Sequence, residues 1–476
     1  MIADLKPYSE YKDTDLPWLG QVPEHWDIKR LGALLRERGE KNDRGQVSDV
    51  LSLMRERGVI PYGEKGRVGN KKSENITRYK IVRPDDVVVN CMNVIIGSVG
   101  ISRYTGCLSP VYYVLTRRFE EDNPNYLNAY FQTKSFQLSL IRIGNGILAH
   151  RMRIPMELLK CELFPRPPAV EQAAIVRFLD HATLRLDKAI RAKRKTIALL
   201  NEQKQAIIHR AVTRGLNPDV PLKDSGIPWL GQIPAHWGIT RVKKGITTVE
   251  QGWSPQCDNQ PAGIDEWGVL KVGCVNKDFF NDGQNKKLPP SLHPEPSLEI
   301  RDGDILVSRA NTRELLGLAA LAENPRPRLL LCDKLFRFRA RPDSFIPRYL
   351  IHALRSKPSR AQIESSTNGA SSSMQNIGQG VLKNLWIAMP PTEEQQRIVD
   401  AILEDTVDLE VAANRIEREI ELLREYRTRL IADVVTGKLD VRDAAARLPQ
   451  VEDAPADEIE LAEIEGAGEE LAEEDA

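Results

Sequence analysis

The sequence contains an internal repeat, and this feature limits the possible folds more than any other. Residues 17–26 read PWLGQVPEHW and residues 228–237 read PWLGQIPAHW, with eight identities in ten positions at an offset of 211. A second match, at an offset of 223, relates PPAVEQ at 167–172 to PPTEEQ at 390–395. Self-similarity of this kind indicates two copies of one structural unit, so we expect a pseudo-symmetric fold.

The middle of one half differs from the middle of the other. Between the shared segments the similarity is reduced to isolated matches, such as Asp86 with Asp304. A gene duplication whose copies have drifted would leave this pattern. A framework that is kept while its two middles recognise two different things would leave it as well, and we favour this second interpretation.

Each half ends in a predicted long helix. Residues 169–214 and 392–436 contain neither Pro nor Gly, and each stretch follows a Pro-Pro pair and is closed by a glycine, Gly215 or Gly437. Proline before a helix and glycine after it are the expected punctuation. Apolar residues recur in both stretches at heptad spacing with one extra step of four, which predicts a coiled coil.

Such long helices need a partner, because an amphipathic helix is held mainly by what packs against its apolar face. One possibility is homodimerisation through the apolar seam. We favour the other, in which the two helices pair with each other, antiparallel, and hold the two halves at a fixed distance. In the matching register Lys204 lies near Asp405, and this opposite-charge pair would help to fix the alignment.

The net charge of zero is the sum of a basic body and an acidic tail. Residues 452–476 contain 12 acidic residues and no Lys or Arg, so residues 1–451 hold 67 basic and 55 acidic residues. A basic body attracts polyanions, of which nucleic acid is the commonest. The tail has few large apolar residues and strong like-charge repulsion, so we expect it to be disordered.

The cysteines and the N-terminus predict a cytoplasmic protein. The six cysteines are at least 16 residues apart and form no CxxC pair, which argues against structural zinc and a disulfide framework. The N-terminus lacks a basic start followed by an apolar core, and no uncharged run approaches the ~20 residues of a membrane span. We therefore expect neither export nor membrane association.

The two middles predict a mixed α+β pattern. Polar and basic residues gather in the loops between the predicted elements, where recognition residues usually lie. Arg, Asn and Gln can form bidentate hydrogen bonds with base edges, so these loops are suited to DNA, although any single one of these residues is more often merely solvated. The predicted elements are helices at 30–40, 125–142 and 347–364 and strands at 86–90, 111–116, 303–308 and 329–338.

The candidate DNA-binding side chains form one group in each half. In the first half they are Lys71, Lys72, Arg78, Asn90, Asn93, Asn145, His150, Arg151 and Arg153. In the second half they are Ser254, Gln256, Arg309, Asn311, Arg313, Asn368, Ser371, Ser372, Ser373, Gln375 and Asn376. We expect His25 and His236, which lie in the apolar repeated segments, to be packed and hydrogen-bonded rather than catalytic.

The sequence lacks the motifs of several enzyme classes. It contains no GxxxxGK[ST] phosphate loop, no HExxH, no GxSxG and no histidine-cysteine metal cluster. The Asn-Pro-Pro-Tyr or Asp-Pro-Pro-Tyr segment of amino-methyltransferases is absent too. The sequence therefore predicts a binding protein without a catalytic or metal site.

These residues resemble one known family, the specificity subunit of type I restriction-modification systems. The match covers about residues 14–440, and two departures lie in the recognition loops: the first half has DVVVN in place of GDILVSR, and Ala310-Asn311-Thr312 stands where many relatives have a glycine. The segments that carry the resemblance are PWLGQVPEHW and PWLGQIPAHW, DVVVN at 86–90, GDILVSR at 303–309, and PPAVEQAAIV and PPTEEQQRIV before the predicted helices.

The resemblance implies an α+β fold with two pseudo-symmetric target-recognition domains separated by an intramolecular antiparallel coiled coil of two long helices. The implied parts are recognition domain 1 at 1–165, the first spacer helix at 166–216, recognition domain 2 at 217–388, the second spacer helix at 389–440, and the acidic tail at 441–476.

The resemblance also implies a non-catalytic subunit that reads a bipartite site on double-stranded DNA, one half-site per recognition domain. Its implied partners are two adenine methyltransferase (modification) subunits and a translocating endonuclease (restriction) subunit. The chain itself would hold no cofactor, and S-adenosylmethionine, ATP and Mg would bind to the partners only. A scaffold protein whose repeats bind only protein partners stays open as the alternative. The residues implied in subunit assembly are Pro168, Glu171, Gln172, Pro391, Glu394 and Gln395.

Overall fold

The structure is a computed structural model, and it divides into two compact units. Unit 1 comprises Met1–Ala192 together with Glu419–Ala476, and unit 2 comprises Lys193–Arg418. Both units mix helices with short strands, so the predicted α+β class is confirmed. The predicted division into recognition domains and spacer helices stays a prediction. The residues that the structure describes are 5–55, 57–66, 71–146, 152–257, 259–277, 279–366 and 375–449, so most of the acidic tail lies outside them.

Two of the helices are far longer than the rest. The helices are α1 (Leu31–Leu34), α2 (Pro124–Phe131), α3 (Lys134–Ser139), α4 (Met156–Leu159), α5 (Ala169–Arg214), α6 (Pro347–Arg355), α7 (Lys357–Ser366), α8 (Gln379–Asn384), α9 (Thr392–Val435) and α10 (Arg442–Ala446). With 46 and 44 residues, α5 and α9 confirm the two predicted helical stretches. None of the helices in the described ranges is both long and apolar enough to cross a membrane.

The strands are short in both units. Those of unit 1 are β1 (Tyr11–Asp13), β2 (Gln21–Pro23), β3 (Asp27–Arg30), β4 (Leu35–Glu37), β5 (Leu51–Met54), β6 (Gly58–Pro61), β7 (Lys80–Val82), β8 (Val87–Asn90), β9 (Val99–Ile101), β10 (Gly106–Leu108), β11 (Tyr112–Arg117) and β12 (Leu163–Arg166). Those of unit 2 are β13 (Leu222–Asp224), β14 (Gln232–Pro234), β15 (Gly238–Arg241), β16 (Glu250–Gln251), β17 (Gly268–Leu270), β18 (Asn285–Lys287), β19 (Ile305–Ser308), β20 (Ala310–Asn311), β21 (Ala319–Leu321), β22 (Leu329–Leu330), β23 (Leu335–Phe338), β24 (Gln375–Asn376) and β25 (Trp386–Met389).

The two units share one framework. A four-stranded antiparallel sheet has the order β4-β11-β8-β9 in unit 1 and the matching order β16-β23-β19-β21 in unit 2. The inner strands β8 and β19 are buried, which is why both read as runs of Val, Ile and Leu. Two further strand pairs are also repeated, β1-β2 with β13-β14 and β3-β12 with β15-β25.

The additions to this framework differ between the units. Unit 1 adds the hairpin β5-β6 and the pair β7-β10, whereas unit 2 adds the three-stranded sheet β18-β17-β22 and the short pair β20-β24. Each addition has apolar residues of its own, with Leu51 and Leu53 in unit 1 and Leu270 and Leu330 in unit 2. The additions fall in the middles of the two halves, where the sequence similarity is lost.

One aspartate holds the turn before the inner strand in each unit. The Asp86 carboxylate accepts a hydrogen bond from the Arg83 backbone N–H at 2.8 Å and two from the Arg38 guanidinium, both at 2.8 Å. These contacts raise the pKa of Arg38. In unit 2, Asp304 accepts from Arg339 Nε at 2.8 Å. The aspartate common to DVVVN and GDILVSR is therefore a structural residue.

A buried carboxylate at the start of α5 holds the repeated decamer of unit 1. Glu171 Oε1 accepts hydrogen bonds from Tyr8 Oη at 2.5 Å and from Trp26 Nε1 at 2.9 Å, while its Oε2 lies 2.8 Å from His25 Nε2. Burial and the hydrogen bond to Glu171 raise the pKa of Tyr8. The decamer is thereby fixed against the first turn of the long helix.

Unit 2 repeats this arrangement with fewer hydrogen bonds. His236 Nε2 lies 2.8 Å from Glu394 Oε2 at the start of α9. Trp237 is fully buried, yet within the described ranges its indole Nε1 has no hydrogen-bond partner. In both units the histidine is hydrogen-bonded to a carboxylate, as predicted, but it is not packed: the side chains of His25 and His236 are 43% and 47% exposed.

The glycine after each long helix packs against a repeated decamer. Gly437 and Gly215 have φ angles of +77° and +72°, the left-handed conformation that favours glycine at a helix C-terminus. A Cβ on Gly437 would lie 2.3 Å from the Pro23 ring, and one on Gly215 would lie 3.1 Å from the Trp237 ring. Each decamer is therefore covered by the end of the long helix from the other half of the sequence.

Within each unit, α5 and α9 make an ion pair. In unit 1, Arg427 Nη1 lies 2.9 Å from Asp187 Oδ1. In unit 2, Lys204 Nζ lies 2.5 Å from Glu410 Oε1. The early part of α9 thus contacts the late part of α5 in unit 2, and the late part of α9 contacts the early part of α5 in unit 1.

The predicted pairing of Lys204 with Asp405 is wrong. Asp405 is exposed, and the neighbouring Thr406 takes the buried position of the seam. The Thr406 hydroxyl donates to the Ile402 carbonyl at 2.7 Å, so its polar group is satisfied within the helix. The buried seam thus steps by four residues from Ile402 to Thr406, where the heptad pattern predicted a step of three to Asp405.

We predict that Glu171→Ala destabilises unit 1 by about 2–5 kcal/mol, because three donors lose a buried acceptor. Glu394→Ala is the matched control in unit 2 and should cost less, because this side chain is 17% exposed against 5% for Glu171. Hydrogen exchange measured by mass spectrometry on the full chain separates the two units. An equal loss of protection in both units, or none in unit 1, would contradict the prediction.

Candidate nucleic-acid interface

Two candidate segments of unit 2 meet at the end of the inner strand β19. The strand β20 follows β19 directly and pairs with β24, which places Asn311 opposite Gln375 and Ala310 opposite Asn376. The Arg309 carbonyl accepts a hydrogen bond from the Ile377 backbone N–H at 2.9 Å. Segments that lie more than 60 residues apart in the sequence are therefore neighbours where the inner strand ends. We call this region, at the C-terminal end of the inner strand, the edge of each unit.

The loop after Gly252 reaches the same edge. The Trp253 backbone N–H donates to the Leu331 carbonyl at 3.0 Å, and a Cβ on Gly252 would lie only 1.9 Å from that carbonyl oxygen. The next residue, Ser254, donates its hydroxyl to the Asp333 carboxylate. Sequence reasoning missed Asp333 because it lay inside the strand predicted at 329–338, which the structure divides into β22 and β23 with Asp333 between them.

Asp333 also connects this loop to the arginine that follows β19. Arg309 Nη1 donates to the Asp333 carbonyl at 3.2 Å, and the Arg309 backbone N–H donates to the Lys334 carbonyl at 2.8 Å. Further along, Arg313 Nη2 lies 3.3 Å from Glu364 Oε2. Both candidate arginines of unit 2 thus have acceptors within the protein.

Amide side chains are concentrated at this edge. Asn311 is 8% exposed, and its Nδ2 donates to Asn276 Oδ1 at 3.2 Å while its Oδ1 accepts from the Thr312 backbone N–H at 2.9 Å. Gln375 Oε1 is buried without a hydrogen-bond partner among the described residues. Asn276, at the end of a short 3-10 turn, is a second residue that sequence reasoning missed.

The remaining candidates of unit 2 are solvent-facing or undescribed. Gln256, Asn376 and Ser254 are exposed. Four candidates of unit 2 and two of unit 1 lie outside the described residues: Asn368, Ser371, Ser372, Ser373, His150 and Arg151.

In unit 1, the candidate asparagines follow the inner strand β8. Asn90 ends this strand, and its Oδ1 accepts from the Met92 backbone N–H at 3.0 Å. Asn93 precedes a 3-10 turn, and its carbonyl accepts from the backbone N–H groups of Ile96 and Ser98, both at 3.1 Å. Both asparagines are half-buried, and the turn that closes the strand holds the side chain of Asn90 and the backbone of Asn93.

A second candidate pair of unit 1 docks beside them. Asn145 and Arg153 exchange backbone hydrogen bonds of 2.9 and 3.0 Å, and the Ile154 N–H donates to the Cys91 carbonyl at 2.9 Å. Arg153 also interacts through its side chain with Cys91 and Tyr113. Burial raises the pKa of the Cys91 thiol, and the charge of Arg153 offsets part of that effect.

The two edges are equivalent in their backbones and different in their side chains. Ile154 binds to the Cys91 carbonyl in unit 1, as Ile377 binds to the Arg309 carbonyl in unit 2, each directly after the inner strand. At this position unit 1 has the buried Cys91 with the exposed Arg153 on the neighbouring segment, whereas unit 2 has an arginine, Arg309, in the strand connection itself. The same backbone arrangement therefore carries different side chains in the two units.

Lys72, another candidate of unit 1, lines a separate cleft of about 430 Å³. The cleft is lined by Tyr62, Lys72 and Tyr104 among others. The Lys72 backbone N–H donates to Tyr62 Oη at 2.9 Å, and its Nζ lies 5.9 Å from the Tyr62 ring centroid. Lys71 and Arg78 are exposed on the same stretch of chain.

The predicted assembly residues make contacts within their own units. Gln172 Oε1 accepts from the Asn123 backbone N–H at 2.8 Å, and in the matching position Gln395 Oε1 accepts from the Ile346 backbone N–H at 2.9 Å. Both glutamines are buried, as is Glu171. Pro168 and Pro391 are exposed and directly precede the first residues of α5 and α9. The role of these six residues in subunit assembly stays a prediction.

The described part of the chain contains no group of three or more His, Cys, Asp and Glu side chains that could hold a metal ion. The two edges offer instead guanidinium groups, amides and hydroxyls on fixed backbone. Such groups can hydrogen-bond to base edges and phosphates, as loops on a rigid scaffold do in recognition proteins.

Comparisons with known proteins identify similar chains. Residues 297–422 match the family model of the type I restriction modification DNA specificity domain. The chain is 32% identical over 204 residues to the type I restriction enzyme EcoEI specificity subunit of Escherichia coli, covering 43% of this chain and 34% of that protein. It therefore aligns with about a third of the length of this relative.

Two longer matches extend over most of the chain. A protein of Methanocaldococcus jannaschii, provisionally named the type I restriction enzyme MjaX specificity subunit, is 22% identical over 471 residues, covering 93% of this chain and all of that protein. A chain from a solved structure on complex assembly and conformational transition of the type I R-M system has a TM-score of 0.58 at 16% identity, covering 88% of this chain and 99% of its own length. This last likeness shows the fold alone. Together with the family model, the matches confirm the resemblance predicted from the sequence.

We predict that Gly252→Ala destabilises the edge of unit 2, because the new Cβ would overlap the Leu331 carbonyl oxygen. Relief of that overlap should cost about 1–3 kcal/mol. Gly380→Ala in α8 is the matched control, since nothing lies within 4 Å of its Cβ position, and it should stabilise by roughly 0.5–1 kcal/mol. Thermal unfolding of both variants checks the opposite signs, and equal effects would contradict the geometry.

Proposed function

We propose that this chain, as a relative of type I restriction-modification specificity subunits, is the DNA-recognition subunit of such a complex. Each unit would read one half of a bipartite double-stranded site. The observation that carries the proposal is the repeated edge, where Ile154 and Cys91 in one unit match Ile377 and Arg309 in the other. Two domains that recognise different DNA sequences need the same backbone arrangement with different side chains at the contact positions.

Most of the binding energy would come from the phosphate backbone and most of the sequence choice from the edges. Lys and Arg contacts to phosphates release counterions, which makes the affinity fall steeply with salt. Exposed basic residues such as Lys71 and Arg78 are suited to this role. The half-buried, hydrogen-bonded side chains at the edges are better suited to base readout, because their orientation is fixed before DNA arrives.

The two long helices would pair within one chain, antiparallel, and set the distance between the half-sites. The ion pairs Lys204–Glu410 and Asp187–Arg427 support this pairing. So does the charge of the helices: α5 has ten Lys and Arg against four Asp and Glu, whereas α9 has six against twelve. Pairing α5 with α9 brings opposite charges together, and pairing either helix with its own copy would not.

Partner subunits would supply the chemistry. By its resemblance the chain would bind two adenine methyltransferase subunits and a restriction subunit, in the cytoplasm, and those partners would hold S-adenosylmethionine, ATP and Mg.

Leu403, Val407 and Val411 follow one another at four-residue spacing on α9 and are 56%, 44% and 62% exposed. This apolar stripe on a helix is a better docking surface than the buried glutamines at the helix starts.

We predict that replacing residues 238–386 by the matching segment of a related chain changes one half-site only. The reason is that this segment contains the edge of unit 2 and leaves that of unit 1 intact. Sequencing of duplex DNA selected from a random pool by the full chain and its methyltransferase partner measures both half-sites. A change in both half-sites would contradict the division of labour. If the unaltered chain enriches no sequence, the alternative of a protein-binding scaffold is favoured.

We predict that Lys204→Glu destabilises unit 2 by about 1–3 kcal/mol, because it places a second carboxylate at a 10% exposed position beside the half-exposed Glu410. Adding Glu410→Lys should restore part of that loss. Unfolding of the single and double variants gives the coupling between the two positions, and sedimentation shows the oligomeric state. Additive effects, or a chain that associates only as a homodimer, would contradict intramolecular pairing.

A further inference from the structure

Two positively charged side chains of unit 2 meet on one neutral amide. Asn384 Oδ1, at the end of α8, accepts hydrogen bonds from Arg241 Nη1 at 2.9 Å and from Lys243 Nζ at 3.2 Å. The two charged nitrogens are therefore separated by no more than the sum of these distances. Like charges this close repel each other, and an anion beside them would be attracted by both. We call Arg241, Lys243 and Asn384 the cation clamp.

The clamp has no carboxylate of its own. Among the described residues, neither Arg241 nor Lys243 forms an ion pair, and the bond to Asn384 is the only hydrogen bond of either side chain. Lys244 and Lys383, which are next to the clamp in the sequence, also have no ion-pair partner in the described ranges. The positive charge at this place is therefore not neutralised within the protein.

An aromatic ring holds the arginine of the clamp in place. The Arg241 guanidinium lies 4.7 Å from the centroid of the Trp386 ring, and the two residues are opposite each other in the β15-β25 pair. A guanidinium stacked on an aromatic ring keeps its remaining N–H groups in a defined plane, which suits the oxygens of a phosphate. Lys243 is exposed and adds a second donor on a flexible stem.

The matching place in unit 1 lacks these groups. Arg30 takes the place of Arg241, but it is opposite Leu163 in the β3-β12 pair rather than opposite a tryptophan. Gly32 stands where unit 2 has Lys243. The clamp is therefore a feature of unit 2 and not of the shared framework.

The clamp lies beside the edge of unit 2. Ile377, whose N–H closes this edge, comes two residues before α8, and this helix of six residues is only about 9 Å long and ends at Asn384. A duplex in contact with the edge carries one phosphate charge per ~1.7 Å of its axis, so phosphates flank the contacted bases closely.

We propose that the cation clamp binds a phosphate of the DNA backbone next to the bases that unit 2 reads. The clamp then holds the duplex in register on unit 2 without reading its sequence, since phosphates are the same at every base pair. This inference rests on the proposed function, because it requires unit 2 to bind duplex DNA.

Salt titration of DNA binding tests the clamp, with the full chain bound to its methyltransferase partner. Arg241→Gln combined with Lys243→Gln removes both charges. Loss of one phosphate contact should reduce the slope of log affinity against log salt concentration by about 0.9. The affinity should fall by the same factor for the selected duplex and for an unrelated one, and the selected sequence should not change.

Arg348→Gln combined with Lys287→Gln is the matched control, because it removes the same charge from unit 2. These cations are already paired, Arg348 with Glu323 at 2.8 Å and Lys287 with Glu266 at 2.6 Å, so the slope should stay the same. Ethylation of single phosphates locates the contact. At one phosphate beside the half-site of unit 2, ethylation should weaken binding by the unaltered chain and have no effect on binding by the clamp variant.

A further variant decides the outcome if the double substitution folds poorly. Lys243→Glu changes an exposed position and gives Arg241 a carboxylate where the phosphate would bind, so it should reduce the slope by the same amount. An unchanged slope, a reduction that the control shares, or a changed base in the selected half-site overturns the clamp and leaves the proposed function standing. If the unaltered chain binds no duplex, both fall together.

Discussion

Glu171 accepts hydrogen bonds from Tyr8, His25 and Trp26, so one carboxylate joins the repeated decamer to the first turn of α5. Glu394 takes the equivalent place at the start of α9, bonded to His236. Because each decamer also packs against the glycine that ends the other long helix, the start of one helix and the end of the other are held at the same place in each unit. The framework depends on this junction, and it explains why the decamer and the Glu-Gln pair are the parts of the sequence that repeat.

The framework leaves the edge of the sheet free to vary. The same backbone hydrogen bond closes both edges, yet the additions beside them differ, a hairpin in unit 1 and a three-stranded sheet in unit 2. Since the aspartates before the inner strands, Asp86 and Asp304, are satisfied by arginines of their own units, the strands keep their position whatever surrounds them. The same fold therefore holds different side chains at the strand ends of the two units.

The two long helices and the inner strands were predictable from the sequence. One short element and the contacts between residues distant in the chain were not. The helices α5 and α9 follow from the absence of Pro and Gly and from the heptads, and the inner strands follow from their apolar runs. The predicted helix at 30–40 is wrong: α1 ends at Leu34, and the chain continues as β4 because residues 35–37 pair with β11. Asp333 and Asn276 could not be found, since only tertiary contacts bring them beside Arg309 and Asn311. No local pattern records a neighbour that is distant in the chain.

The order of the chain bears on how the protein is made. Unit 2 occupies the single stretch Lys193–Arg418, whereas unit 1 needs Glu419–Ala476 as well as the first residues to be synthesised. Tyr126 donates to the Val435 carbonyl at 3.1 Å, and Lys6 pairs with Asp440, so these contacts form only after residues 435–440 have been synthesised. Domains usually fold in the order in which they leave the ribosome. Unit 1 therefore cannot complete its core until Leu430, Val434 and Val435 have been synthesised, whereas all residues of unit 2 are present earlier.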